Sequence, residues 1–259
     1  MTSGEQTYVK RRANASPGFF DAEAAGLEWL RVPGGVSIVD VLAHDQSSIT
    51  LAFVDTVAPT RRAAEEFGAA LARTHDAGAK FFGAGPYDLG KPLRVGNADL
   101  PMPSAPPDSW GDFYADYRIS PYVRKGRALG EFDNSDLEVF ERLTSALKEG
   151  RWNDGAPPAR LHGDLWAGNV LYDARGAVLI DPLAHGGHRI TDLAMLDLFG
   201  IDYEETIFAA YERESSWLPD GWRRLIPLHQ VHPLLVHTML FGGGYAGAAV
   251  RAAQRALRV

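Results

Sequence analysis

Leu161-His162-Gly163-Asp164-Leu165-Trp166-Ala167-Gly168-Asn169, followed after a short interval by Ile180-Asp181-Pro182, is the stretch on which the reading of this 259-residue chain turns. A His-Gly-Asp triplet precedes an Asn by four intervening residues, a pattern expected by chance in roughly one chain in a thousand of this length. Val170-Leu171-Tyr172 and Ala177-Val178-Leu179-Ile180 read as two short strands around Asp173-Ala174-Arg175-Gly176. They form a hairpin whose turn glycine can take positive φ. Such a hairpin returns Asp181 to the end that carries Asp164 and Asn169, so three oxygen-bearing side chains converge.

Convergent oxygens of this kind suit phosphoryl transfer, which needs a group to orient an acceptor hydroxyl and hard ligands for Mg²⁺. Asp164 is placed as the catalytic carboxylate, Asn169 and Asp181 as metal ligands, and His162 as a hydrogen-bonding brace of the catalytic loop. The bland alternative, Asp and Asn merely capping turns, holds for each residue alone and is outweighed by their joint spacing. A zinc set of His162, His185 and His188 is disfavoured, because the last two lie beyond Asp181 in a Gly-rich loop. Thr191 reads as an N-cap, and Asp192 as structural support for the catalytic-loop backbone.

Upstream, Thr7 to Arg12 reads as a strand carrying Lys10, and Ser16-Pro17 opens an amphipathic helix over 17–31. Glu23 shares a face with Phe20 and Leu27, so a strand lysine and a helix glutamate can pair, as in folds that hold a phosphate-contacting lysine. The alternative is two solvated charges. Gly34-Gly35 makes a turn, 36–42 and 48–54 read as strands, and Phe53-Val54-Asp55-Thr56 is a hinge. That divides the chain into a small β-rich lobe, 1–55, and a helical lobe, 56–259. Backbone groups at Phe53 and Val54 are the expected contacts for a nucleotide base. A helix is expected from about Pro59 to Asp76, and the Pro- and Gly-rich stretch 77–108 is expected to lack regular structure. Trp110, Phe113, Tyr114 and Tyr117 line one later helix, and Leu137, Phe140, Leu143 and Leu147 another, as core rather than as a ligand cage.

Composition narrows the setting. The formal net charge of −7 argues against broad attraction to nucleic acid or an anionic membrane. Cysteine is absent from the sequence, which excludes disulfides, thiol catalysis and thiolate–metal sites. The first residues are polar, and no apolar run approaches the ~20 residues of a membrane span. A cytoplasmic setting is expected, and the oligomeric state is unread.

The run from Leu161 to Asn169, with Trp166 directly after Gly-Asp-Leu, resembles the fructosamine kinase (ketosamine-3-kinase) family. Ile180-Asp181-Pro182, Gly187 to Met195, Leu198-Phe199-Gly200 and Leu240-Phe241-Gly242-Gly243-Gly244-Tyr245 extend the similarity, as do Val9-Lys10 and Phe20 to Leu27 upstream. The resemblance implies an α+β, two-lobed protein-kinase-like fold and ATP- and Mg²⁺-dependent phosphorylation of a sugar hydroxyl on a ketosamine, an amine-bearing small molecule. It implies that Lys10 and Glu23 serve the nucleotide, and Trp166 beside Asp164 would suit stacking on the sugar. The departure is a Gly-rich loop hairpin over the phosphates. Such a hairpin needs about 12 residues, and nine precede Lys10. The small lobe is therefore expected to be abbreviated, with the Gly-rich part of 83–96 as a possible substitute cover. An aminoglycoside, choline-like or other amino-sugar acceptor, or a nucleotide-binding pseudokinase, are the alternative readings.

Overall fold

In the computed structural model the described residues are 6–87, 90–95 and 98–259; the polar start of the chain and part of the 83–96 segment lie outside them. β1 (Thr7–Arg11) leads to α1 (Phe19–Leu30), then β2 (Ser37–Ile38), β3 (Val41–His44) and β4 (Ser48–Ala52). The sheet order is β1-β4-β3, antiparallel, with Lys10 opposite Ile49. Helix α1 buries Phe20, Leu27 and Leu30 against this sheet, together with Glu23. Its start differs from expectation. Gly18 in the left-handed region caps it, and Ser16 only accepts the Phe19 N–H through its carbonyl at 3.0 Å. The expected strand over 36–42 divides in two. Ser37–Ile38 pairs in parallel with Val178–Leu179 in a different sheet, and Asp40 breaks the run by accepting the Ala52 N–H at 2.8 Å.

Residues 53–60 connect β4 to α2 (Arg61–Asp76). Thr60 is the cap, accepting the Ala63 N–H at 3.1 Å, so the helix begins after Pro59. Its apolar face buries Ala64, Phe67 and Leu71, each of the larger two adding roughly 1.5–3 kcal/mol of burial. Gly68 lets α2 close on the Ile207 carbonyl, where a Cβ would collide. One core spans α1, the small sheet, α2 and the hairpin strands, so the connection is crossed by continuous packing.

The 77–108 stretch is not wholly irregular: β5 (Leu93–Val95) and β6 (Ala98–Leu100) form a small hairpin. It is tied down by Arg118, a buried guanidinium donating to Pro101 O at 2.7 Å and lying 4.5 Å over the Phe113 ring. The helical region comprises α3 (Trp110–Phe113), a π-helical turn (Tyr114–Ile119), α4 (Ser120–Leu129) and α5 (Asn134–Lys148). Trp110, Phe113 and Tyr114 are core, as the apolar spacing predicts. β7 (Ala159–Leu161), β8 (Val170–Asp173), β9 (Gly176–Leu179) and β10 (His185–Gly187) frame the central motif. Then come α6 (Ile190–Phe199), α7 (Glu204–Glu214), α8 (Ile226–Phe241) and α9 (Tyr245–Ala256). Helix α8 is apolar on most of its circumference and largely buried, as a central helix must be. Among the described residues no helix is long and apolar enough to cross a membrane.

Candidate active site

The hairpin β8–β9 pairs Val170 with Leu179, and Ile180 donates its N–H to Asn169 O at 3.2 Å. This register fixes Asp181 beside the loop that holds Asp164 and Asn169. Asn169 Nδ2 donates to Asp164 O at 2.7 Å and to its Oδ2 at 3.3 Å. The amide nitrogen is thus spent on the loop, leaving the amide oxygen as the group suited to a hard cation. Asp181 sits at φ 53°, one of two non-glycine residues with positive φ among the described residues. Backbone held in that region costs about 1–3 kcal/mol and clusters at functional sites.

From the small sheet, Lys10 Nζ donates to Glu23 Oε2 at 3.0 Å, to Glu23 Oε1 at 3.2 Å and to Asp181 Oδ1 at 2.9 Å. Burial works to lower the Lys10 pKa, but the Glu23 and Asp181 carboxylates outweigh it and raise it, so the ammonium is retained. Burial pushes the Glu23 carboxyl upward and the Lys10 ammonium opposes it. Both Glu23 oxygens lie on the ammonium, the geometry of an ionised pair. Burial also pushes Asp164 up to about 7, with the Asn169 hydrogen bond opposing and the Asp181 charge adding to the rise. A carboxylate near neutrality can take a proton from a hydroxyl more readily than an exposed aspartate can.

His162 is buried and faces the scaffold rather than the cavity. Its Nδ1 accepts the Asp164 N–H at 3.3 Å and its Nε2 donates to Ile180 O at 2.9 Å. That pattern requires the neutral ring, and burial lowers its pKa accordingly. It therefore joins the Asp164 loop to the end of β9. Asp192 clamps the same loop from α6. Its carboxylate accepts His162 N–H at 2.7 Å, Gly163 N–H at 3.0 Å and His75 Nε2 at 3.2 Å. Thr191 is not a cap; it lies in the first turn of α6 with its hydroxyl 2.9 Å from His229 Nδ1.

Lys10, Glu23, Asp164 and Asp181 line one cavity of about 300 Å³. Phe53 and Val54 do not: they line a separate hollow with Arg175 and Val178, and the Phe53 N–H is already bonded to Gln6 O at 3.1 Å. Trp166 is 43% exposed and its indole lies over Gly168, outside the cavity lining. His162, His185 and His188 bond to Ile180, Leu183 and Asp154 respectively, which disposes of a shared zinc site. Among the described residues no cluster of three or more His, Asp or Glu side chains is assembled for a metal. Asp181 and Asn169 supply two protein oxygens, a number suited to a cation that shares its shell with phosphate and water. Sequence reasoning missed Arg12, Tyr87 and Arg94 on the cavity wall. Only Arg12 carried a usable signal, since it stands two residues after Lys10 on the same strand face.

The fructosamine kinase family profile matches residues 1–259. A protein of Thermus thermophilus named probable ketoamine kinase is 32% identical over 244 residues, 94% of this chain and 85% of that one. A solved structure from Thermobifida fusca, assigned as a fructosamine-3-kinase, superposes with a TM-score of 0.88 at 42% identity, covering 100% of this chain and 88% of that one. The aminoglycoside phosphotransferase of a gentamicin complex shares the fold at a TM-score of 0.62 and 13% identity, over 99% of this chain and 86% of that one. The α+β architecture is thus protein-kinase-like, and the chain belongs to the fructosamine kinase family.

Proposed function

We propose that this chain transfers the γ-phosphoryl group of ATP to a sugar hydroxyl of a ketosamine, with residues 1–55 as the small lobe and 56–259 as the helical lobe. The observation that carries the assignment is the meeting of Lys10, Asp164 and Asp181 on one cavity, with Asn169 bonded to Asp164. Asp164 orients the acceptor hydroxyl and receives its proton as the new P–O bond forms and ADP departs with the electrons of the broken bond. Asn169 and Asp181 would hold Mg²⁺, which would supply positive charge to offset that of the phosphates. Lys10 contacts the phosphates and Glu23 holds Lys10 in place. Trp166 stacks on the sugar or its amine substituent, supported by its exposure beside Asp164. The catalytic role of His162 is indirect, through the position of Asp164.

A coupled ATP-consumption screen of glycated amines against aminoglycosides and choline-like alcohols tests the acceptor. Turnover with ketosamines is expected. Asp164→Asn should remove at least about 10²–10⁴-fold of it while leaving the melting transition in place. Retained turnover in that variant would sink the role given to Asp164.

A further inference from the structure

We propose that Arg12 and Arg94 grip the phosphoryl group in transit, one from the lysine strand and one from the β5–β6 hairpin; this rests on the phosphotransfer reading above. Both side chains line the cavity that holds Lys10, Asp164 and Asp181. Arg12 directly follows β1, and its N–H continues the strand ladder by donating to Ser47 O at 3.0 Å. Alternation along a strand therefore puts Arg12 on the same face as Lys10 and Arg11 on the other. Burial agrees: Lys10 and Arg12 are half-buried, Arg11 exposed.

Charge explains why the cavity needs more than Lys10. The Lys10 ammonium already faces two carboxylates, Glu23 and Asp181, and Asp164 adds a third to the wall. A metal on Asn169 and Asp181 offsets part of that excess, but a triphosphate brings several further negative charges. Further cations on the cavity wall are the remaining means of balancing oxygens whose charge is redistributed during transfer. Guanidinium is the suitable group, because its planar fork matches phosphoryl oxygens and stays protonated.

Both arginines are also held in place. The Arg12 guanidinium lies 4.8 Å over the Phe19 ring at the start of α1. Arg94 Nη1 donates to Asp99 Oδ1 at 2.7 Å across the β5–β6 pair, where Arg94 and Asp99 are register partners. That bond uses one of five N–H donors. The hairpin thus adds a second guanidinium to the wall that carries Lys10 and Arg12. Specific placement of this kind lowers the ordering cost of gripping a transferring group.

The test compares MgATP with MgADP, which differ by the group the arginines are to hold. In the unsubstituted protein, thermal shift should be larger with MgATP than with MgADP. Arg12→Ala and Arg94→Ala should each reduce the MgATP shift toward the MgADP value, leave the MgADP shift intact, and lower kcat/KM for MgATP roughly ten- to a hundredfold. Arg11→Ala should leave both shifts unchanged. The intact MgADP response reports that each variant is folded. Arginine variants that keep the full ATP-over-ADP difference overturn the proposal, as does an equal shift for the two nucleotides in the unsubstituted protein. An active, nucleotide-responsive protein with unaffected variants removes only this inference. A protein with neither nucleotide response nor ketosamine turnover removes the phosphotransfer reading as well.

Discussion

Lys10 and Asp181 stand 171 positions apart in the chain, yet the lysine ammonium donates to the aspartate Oδ1 at 2.9 Å. The contact joins the first strand of the small sheet to Asp181, two residues past the end of β9, so the two halves of the site meet through a charge pair. Lys10 retains 30% side-chain exposure and Asp181 38%, so solvent screens the pair and its contribution to stability is about 0–1 kcal/mol. Its importance is positional. Lys10→Arg keeps a cation for the buried Glu23 carboxylate, so it should leave the melting temperature nearly unchanged, while its differently shaped head displaces the phosphate contact and lowers kcat/KM for MgATP by roughly ten- to a hundredfold. Steady-state kinetics with a parallel melting curve checks this, and a large loss of stability with normal kinetics would contradict it.

The Asp192 clamp should behave in the opposite way. Its carboxylate is 1% exposed and accepts three donors, two of them the backbone N–H groups of His162 and Gly163. Asp192→Ala would leave the buried His162 N–H and His75 Nε2 without a partner, and the half-buried Gly163 N–H as well. Removing one member of such a buried network costs about 3–5 kcal/mol. Chemical denaturation should show that loss at unchanged m-value. Activity should fall as well, because His162 and Gly163 directly precede Asp164.

Much of this site is legible in the sequence because it depends on short-range spacing. Asp164, Asn169 and Asp181 are tied by one hairpin, whose register follows from alternation and turn chemistry. The Lys10–Glu23 pair is legible because a strand and the next helix have few ways to meet. What local pattern cannot supply is partner choice between distant elements. Ser37–Ile38 carries strand-like residues, but its pairing with β9 depends on a sheet neighbour some 140 residues away. The β5–β6 hairpin hides in a Pro- and Gly-rich stretch, held by Arg118 from a later helix. His75 joins the Asp192 network from α2 with no motif around it.

Acid should unfold the protein early, and His185 gives the sign. It is buried, donates Nδ1–H to Leu183 O at 2.7 Å, and burial lowers its pKa to about 3, with the Arg118 charge adding to the drop. The unfolded chain binds the proton near pH 6.5, so between that value and about 3 the unfolded state carries more protons. Stability is therefore complete above about pH 6.5 and declines as pH falls, by roughly 1.4 kcal/mol per unit from this residue. His162, His229 and His232 are also buried with lowered pKa values and steepen the decline. The raised Asp164 carboxyl takes up its proton in the folded state near pH 7 and opposes this, but the buried histidines outnumber it, so melting temperatures should drop as pH falls from about 6.5 to 5. His185→Gln should flatten the slope, whatever its effect on the absolute value.

Trp166 and Gly168 give a separable handle on the acceptor side. The indole ring occupies the space in which a Cβ at position 168 would sit, so Gly168→Ala must displace it. Trp166 is partly exposed and can swing outward without opening a core cavity, so the substitution should cost less than about 1 kcal/mol of stability. If the indole stacks on the sugar, moving it removes part of an aromatic contact of about 0.5–1.5 kcal/mol. The KM for a ketosamine should then rise several-fold in Gly168→Ala and in Trp166→Ala, with KM for MgATP unchanged. Tryptophan fluorescence should report the altered ring environment in Gly168→Ala. An unchanged ketosamine KM in both variants, with the fluorescence change present, would remove Trp166 from the acceptor site while leaving Asp164 in it.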